Sequence, residues 1–187
     1  MQTSHGAHAF GSLLAKKFAF LTQSSKAQLI RAAALTAATA TATLLFTAYS
    51  GLYIDISENR CMPEHVYLSY PRPDILERGQ VVSFIATDRT MMGLFTGKRA
   101  AKIIAGLPGD MVVSDEQGAY VNGIKLGDRS PITLKNMAAK NLVAANMSRR
   151  LGPGELFVMG TMPRSFDSRY WGPMPAADVD RLVKGLL

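Results

Sequence analysis

Lys102-Ile103-Ile104-Ala105-Gly106-Leu107-Pro108-Gly109-Asp110 puts a lysine inside a short apolar strand and then closes that strand with a turn. Strand lysines commonly point to water, but apolar residues on both sides make this one a candidate for burial. A neutral amine held in apolar surroundings can take a proton from a hydroxyl or thiol. Lys98 and Arg99, next to Gly97, read instead as a solvated polar turn.

Short strand-like runs lie on either side of this stretch. His65–Tyr70 alternates and stops at Pro71-Arg72-Pro73, and Arg78-Gly79-Gln80 is a turn before the apolar run Val81–Ala86. Met111–Val113, Ala119–Val121 and Leu156–Met159 follow, with Asn122-Gly123 as a hairpin signal because both residues tolerate positive φ. Residues 133–150 read as helix or irregular, and Ala176–Leu187 as a short helix. Many short strands joined by regular turns predict a mostly β, twisted antiparallel domain.

Upstream, Ala32 to Ile54 carries no charge. As a helix this run would span roughly 35 Å, enough for a bilayer core of about 30 Å. Residues 1–54 hold four basic residues and no acidic one, whereas all fourteen acidic residues lie from Asp55 onward among seventeen basic ones. Basic residues ahead of an apolar run predict a cytoplasmic N-terminus. The expected layout is a cytoplasmic basic tail over 1–31, a transmembrane signal anchor over 32–54, and a periplasmic domain over 55–187, at a bacterial inner membrane. A cleaved signal using Ala38-Thr39-Ala40 competes, but its greasiest residues, Leu44, Leu45 and Phe46, come after that site rather than before it. A buried core helix is the other competitor. No basic cluster interleaved with aromatics follows Asp55, so nucleic acid is not an expected partner.

The only cysteine, Cys61, follows the apolar run in Glu58-Asn59-Arg60-Cys61-Met62-Pro63. A single cysteine can be an inert core residue, a surface thiol, an intermolecular bridge or a reactive group. His5, His8 and His65 have no metal-ligand spacing and no phosphate-cradling loop is present, so no cofactor is expected. His65 stands four residues from Cys61 on a strand and is a poorly placed partner for it.

Cys61-x-Pro63, Arg78-Gly79-Gln80-Val81-Val82, Lys102 to Asp110, Val121-Asn122-Gly123, Phe157-Val158-Met159-Gly160 and Ser165-Phe166-Asp167-Ser168-Arg169-Tyr170-Trp171-Gly172-Pro173 form an ordered set over roughly residues 55–175. The set resembles the type I signal peptidases, and within them most closely the TraF-type peptidases of conjugative transfer systems. The resemblance implies a signal-peptidase-like β domain behind one anchor, with Cys61 at the nucleophile position and Lys102 as general base. It further implies that Ser165 orients the lysine amine and that Asp167 and Arg169 form an ion pair steadying the site. Asn59, two residues before the nucleophile, stands where some members place an oxyanion donor, and an amide can donate that bond.

The family has serine where this chain has Cys61, so an active thiol, a relic of lost activity and an introduced substitution are all open. A lysine base deprotonates a thiol, with its unperturbed pKa of about 8.5, far more readily than a hydroxyl. Gly160-Thr161-Met162-Pro163 also departs from the family's Gly-Asp-Asn opening of the last box. The gap from Asp110 to Gly160 is too short for the extra β domain of large leader peptidases. The implied activity is processing, with cyclisation as an option, of a propilin or other exported precursor. Inner-membrane lipid and other transfer or secretion proteins are the further expected partners. The alternatives are a general signal peptidase and a non-catalytic assembly protein built on a peptidase scaffold.

Overall fold

Residues 26–56 and 60–186 are described by a computed structural model. The chain divides into two units, residues 1–48 and 49–187. In the first, a helix runs from Lys26 to Tyr49. Its 24 residues reach about 36 Å, and it is long and apolar enough to cross a membrane. Four of its five threonines bond back within the helix: the hydroxyls of Thr36, Thr39 and Thr43 each donate to the carbonyl four residues back at 2.9 Å, and that of Thr47 does so at 3.0 Å. Such back-bonding makes a hydroxyl tolerable in an apolar medium.

The expected uncharged span was Ala32–Ile54, but the helix begins six residues earlier and ends at Tyr49. Gly51–Ile54 is instead β1, paired antiparallel with β2, Val66–Pro71. Ladder bonds to a strand in the second unit therefore take the end of the apolar run away from the helix.

The second unit is mostly antiparallel β, as expected. Its larger sheet contains β1, β2, β3 (Val81–Ile85), β4 (Arg99–Gly106), β9 (Glu155–Met159), β10 (Met174–Pro175) and β11 (Val179–Gly185), in the order β1-β2-β11-β3-β4-β9-β10. The smaller sheet, β7-β6-β5-β8, uses β5 (Met111–Asp115), β6 (Gly118–Val121), β7 (Ile124–Gly127) and β8 (Met147–Arg150). Asn122 at φ 51° and Gly123 at φ 81° make the two-residue loop between β6 and β7, which pairs Val121 with Ile124. The short segment between Asp110 and Gly160 thus builds a sheet of its own.

The C-terminus differs from expectation. A 3-10 turn at Ala176–Asp178 leads into β11, which lies between β2 and β3. A register shift between Val179 and Arg181 breaks the in–out alternation of β11, which hides the strand in the sequence. Residues 133–150 resolve into the helix Pro131–Ala138, capped by the Ser130 hydroxyl, followed by β8.

β9 joins two cores by strand alternation. Leu156 and Val158 enter the cluster of Val82, Phe84, Ile104, Tyr170, Trp171 and Met174. Phe157 and Met159 turn the other way, onto Val112, Val121 and Leu151. Each large side chain so buried contributes about 1.5–3 kcal/mol. A third cluster of Met62, Tyr67 and Val183 receives Cys61, Ala101 and Ile103.

Candidate active site

Alternation along β4 decides where Lys102 goes. Lys102, Ile104 and Gly106 are buried while Ala101, Ile103 and Ala105 are only partly covered. Val82 of β3 stands opposite Lys102 in the register. Lys102 is 0% exposed and its Nζ donates to the Ser165 hydroxyl at 3.1 Å. None of the ion pairs among the described residues involves it. Enzymes that use a lysine as base commonly hold the amine in apolar surroundings.

Ser165 is held by a tight turn. Its N–H donates to the Met162 carbonyl at 3.0 Å, and the Met162 N–H donates to the Cys61 carbonyl at 3.2 Å. The loop carrying the lysine's partner is thereby tied to the backbone of the lone cysteine. Gly160 lets the two segments close. A Cβ there would lie 2.5 Å from the Cys61 carbonyl oxygen and would overlap the Ser165 side chain. Gly160 is needed here for space, not for φ.

Asp167 and Arg169 form the expected ion pair, with side chains 0% and 6% exposed. Arg169 Nε reaches Oδ1 at 2.8 Å and Nη2 reaches Oδ2 at 2.7 Å, a bidentate geometry. Asp167 also accepts from the N–H groups of Gly160 and Arg169, the latter capping the short helix Ser168–Trp171. Both carboxylate oxygens of Asp167 are so engaged. Arg169 in turn donates to the carbonyls of Asp128 and Ser165. Burial opposes its charge, but the hydrogen bonds and charge of Asp167 outweigh that and raise its pKa.

Cys61 is half-buried and free. Its thiol and the Lys102 amine are not hydrogen-bonded to each other: the amine is on Ser165, and Cys61 packs by the cluster to which Ala101 and Ile103 turn. His65 does not serve Cys61. One ring nitrogen contacts Arg60 and the other the Asp55 carbonyl. Asn59, the expected oxyanion donor, lies outside the described residues.

Cys61 and Met62 open onto a cleft of about 1060 Å³. Sequence reasoning missed its other walls, among them Tyr53, Phe95, Ile132, Arg164 and Phe166. The positive φ of Met91, Met92 and Phe95, which shapes the loop between β3 and β4, leaves no local sequence signal because none of the three is glycine.

The family model described as "Signal peptidase, peptidase S26" matches residues 19–184. This chain belongs to that family. The chain is 33% identical over 105 residues to "Probable signal peptidase I-2" of Synechocystis sp., a match covering 53% of this chain and 42% of that protein. The chain therefore spans under half the length of the curated relative. It is also similar, at 26% identity, to the crystal structure of a signal peptidase I from Enterococcus faecalis V583. That match covers 62% of this chain and 99% of the other, with a TM-score of 0.36.

Proposed function

We propose that this signal-peptidase-family chain is a membrane-anchored endopeptidase in which Cys61 is the nucleophile and Lys102 its base. The observation that carries the reading is the buried Lys102 amine on the Ser165 hydroxyl, in a loop bonded to the Cys61 backbone. For reaction the amine exchanges Ser165 for the thiol, a tightening common when substrate fills a site. Lys102 takes the thiol proton as sulfur attacks the carbonyl carbon of the scissile peptide bond. The tetrahedral oxyanion is stabilised by N–H donors, with the Cys61 N–H and the Asn59 amide as the assigned pair. On collapse the C–N bond breaks, Lys102 returns the proton to the leaving amine, and a thioester remains on Cys61. Water then releases an acid, or an amine releases an amide.

The Ser165–Pro173 box supports the TraF-type form of this reading, in which the substrate is a propilin and the acceptor amine is its own N-terminus. Thioesters favour amines over water more than oxygen esters do, which suits that outcome. The Synechocystis relative's name favours a second reading, general signal peptidase activity on exported precursors. In both, the N-terminus is cytoplasmic and the catalytic domain periplasmic, with the helix Lys26–Tyr49 in the inner membrane. The test is precursor processing by the purified full chain. Cys61→Ala abolishes it and Cys61→Ser retains it; an active Cys61→Ala overturns the assignment. Product mass separates the readings, because only cyclisation loses one water relative to the linear cut form.

A further inference from the structure

We propose that the cleft beside Cys61 selects an acidic stretch of the precursor, held by Lys98, Lys140 and Arg164. The proposal rests on the peptidase reading of the same cleft and adds a substrate class to it. The domain from Asp55 onward is nearly balanced in charge, with seventeen basic and fourteen acidic residues. The cleft is not: four cations line it and one carboxylate, Asp55. Arg99 is committed elsewhere, to Asp180 and the Ser83 hydroxyl. Lys98, Lys140 and Arg164 take part in none of the ion pairs among the described residues.

These three cations come from separate elements. Lys98 sits on the loop leading into β4, Lys140 just after the helix Pro131–Ala138, and Arg164 immediately before Ser165. Convergence from three places distinguishes them from a solvated charged face on one element. Between them the cleft offers Met91, Leu94, Phe95, Ile132 and Phe166, with Phe95 59% and Ile132 47% exposed. Apolar walls with unpaired cations match an extended segment that alternates aliphatic and acidic side chains. Because Arg164 adjoins the residue holding Lys102, a carboxylate bound there belongs to the segment presented for attack. An anionic lipid headgroup offers the same charge, but the cations enclose a concave site that also contains Cys61, which favours peptide.

The test uses the full-length Cys61→Ala protein in detergent, which binds without turnover. Two labelled extended peptides of alanine and leucine are compared, one with paired glutamates and one with glutamines in their place. The glutamate peptide is expected to bind roughly fivefold to tenfold more tightly, with the preference shrinking as salt rises. Lys98→Gln/Lys140→Gln/Arg164→Gln, all at exposed positions, brings the ratio near one, and Arg164→Glu shifts preference toward a lysine peptide. Equal affinity for both peptides overturns the proposal. So does a triple variant that keeps the glutamate preference but loses binding to phosphatidylglycerol vesicles over phosphatidylcholine ones, which assigns the cations to lipid. A wild-type chain that shows the preference yet processes no precursor sinks the peptidase reading and leaves the binding preference standing.

Discussion

The Lys102 amine donates to the Ser165 hydroxyl at 3.1 Å across 63 residues of sequence, with both side chains shut off from solvent. Neither the Lys102 amine nor the Ser165 hydroxyl makes another hydrogen bond among the described residues, so each depends on the other. The pair's asymmetry makes it testable. Ser165→Ala strands a buried amine, which costs about 1–3 kcal/mol, whereas removing both partners is nearly neutral. Lys102→Met/Ser165→Ala is therefore expected to melt above Ser165→Ala alone. Thermal unfolding of the two variants checks this, and equal melting would mean the amine finds another partner.

In turnover the two positions separate differently. Lys102→Met is expected to abolish precursor processing. Ser165→Ala lowers kcat by roughly 10- to 100-fold with little change in KM, because the base is mispositioned rather than lost. A Ser165→Ala chain with wild-type kcat would show that Ser165 does not position the base.

Gly160 predicts a steric effect. Any Cβ there meets the Cys61 carbonyl oxygen and Ser165. Gly160→Ala is expected to destabilise by about 1–3 kcal/mol, as overpacking does. Processing should fall as well, since the shift moves the candidate nucleophile's backbone. Urea unfolding together with kcat/KM checks both.

Asp167→Asn leaves Arg169 as an uncompensated buried charge, which costs about 3–5 kcal/mol. Arg169→Lys is not conservative here, because an ammonium cannot reproduce the bidentate fork. Both variants are expected to lose much of their stability in urea titrations, with Asp167→Asn the worse.

Asp110 provides a pH prediction away from the site. Burial pushes its pKa up, but hydrogen bonds from the Leu107 N–H, Asn122 and Arg78 outweigh this and hold it below the usual carboxylate range. A depressed folded pKa gives stability that is complete above the unfolded value of about 3.9 and is lost as pH falls through the folded one. Wild type is thus expected to exceed Asp110→Asn in melting temperature at neutral pH, with the gap closing below about pH 4. A gap that widens on acidification would reverse the sign and exclude Asp110 as its source.

Local pattern was enough for much of the domain. Alternation marked β2, short apolar runs marked β3, β4, β5, β6 and β9, and Asn122-Gly123 marked its hairpin because its backbone demand is local. Apolar neighbours made Lys102 a burial candidate, and the resemblance of the final box to the signal peptidases named Ser165, Asp167 and Arg169. What needed the tertiary structure was everything set by a distant partner. Gly51–Ile54 looks like more of the apolar helix until Val66–Ser69 pairs with it. β11 looks helical until β2 and β3 receive it on both edges, about a hundred residues from where those strands begin. Only the fold could decide that the Lys102 amine rests on Ser165, that Gly160 has no room for a Cβ, and that three cations meet over one cleft. A sequence states which groups are available and which local backbone they prefer. Strand pairing then sets which of them meet, because its hydrogen bonds and packing are made between segments far apart in the chain.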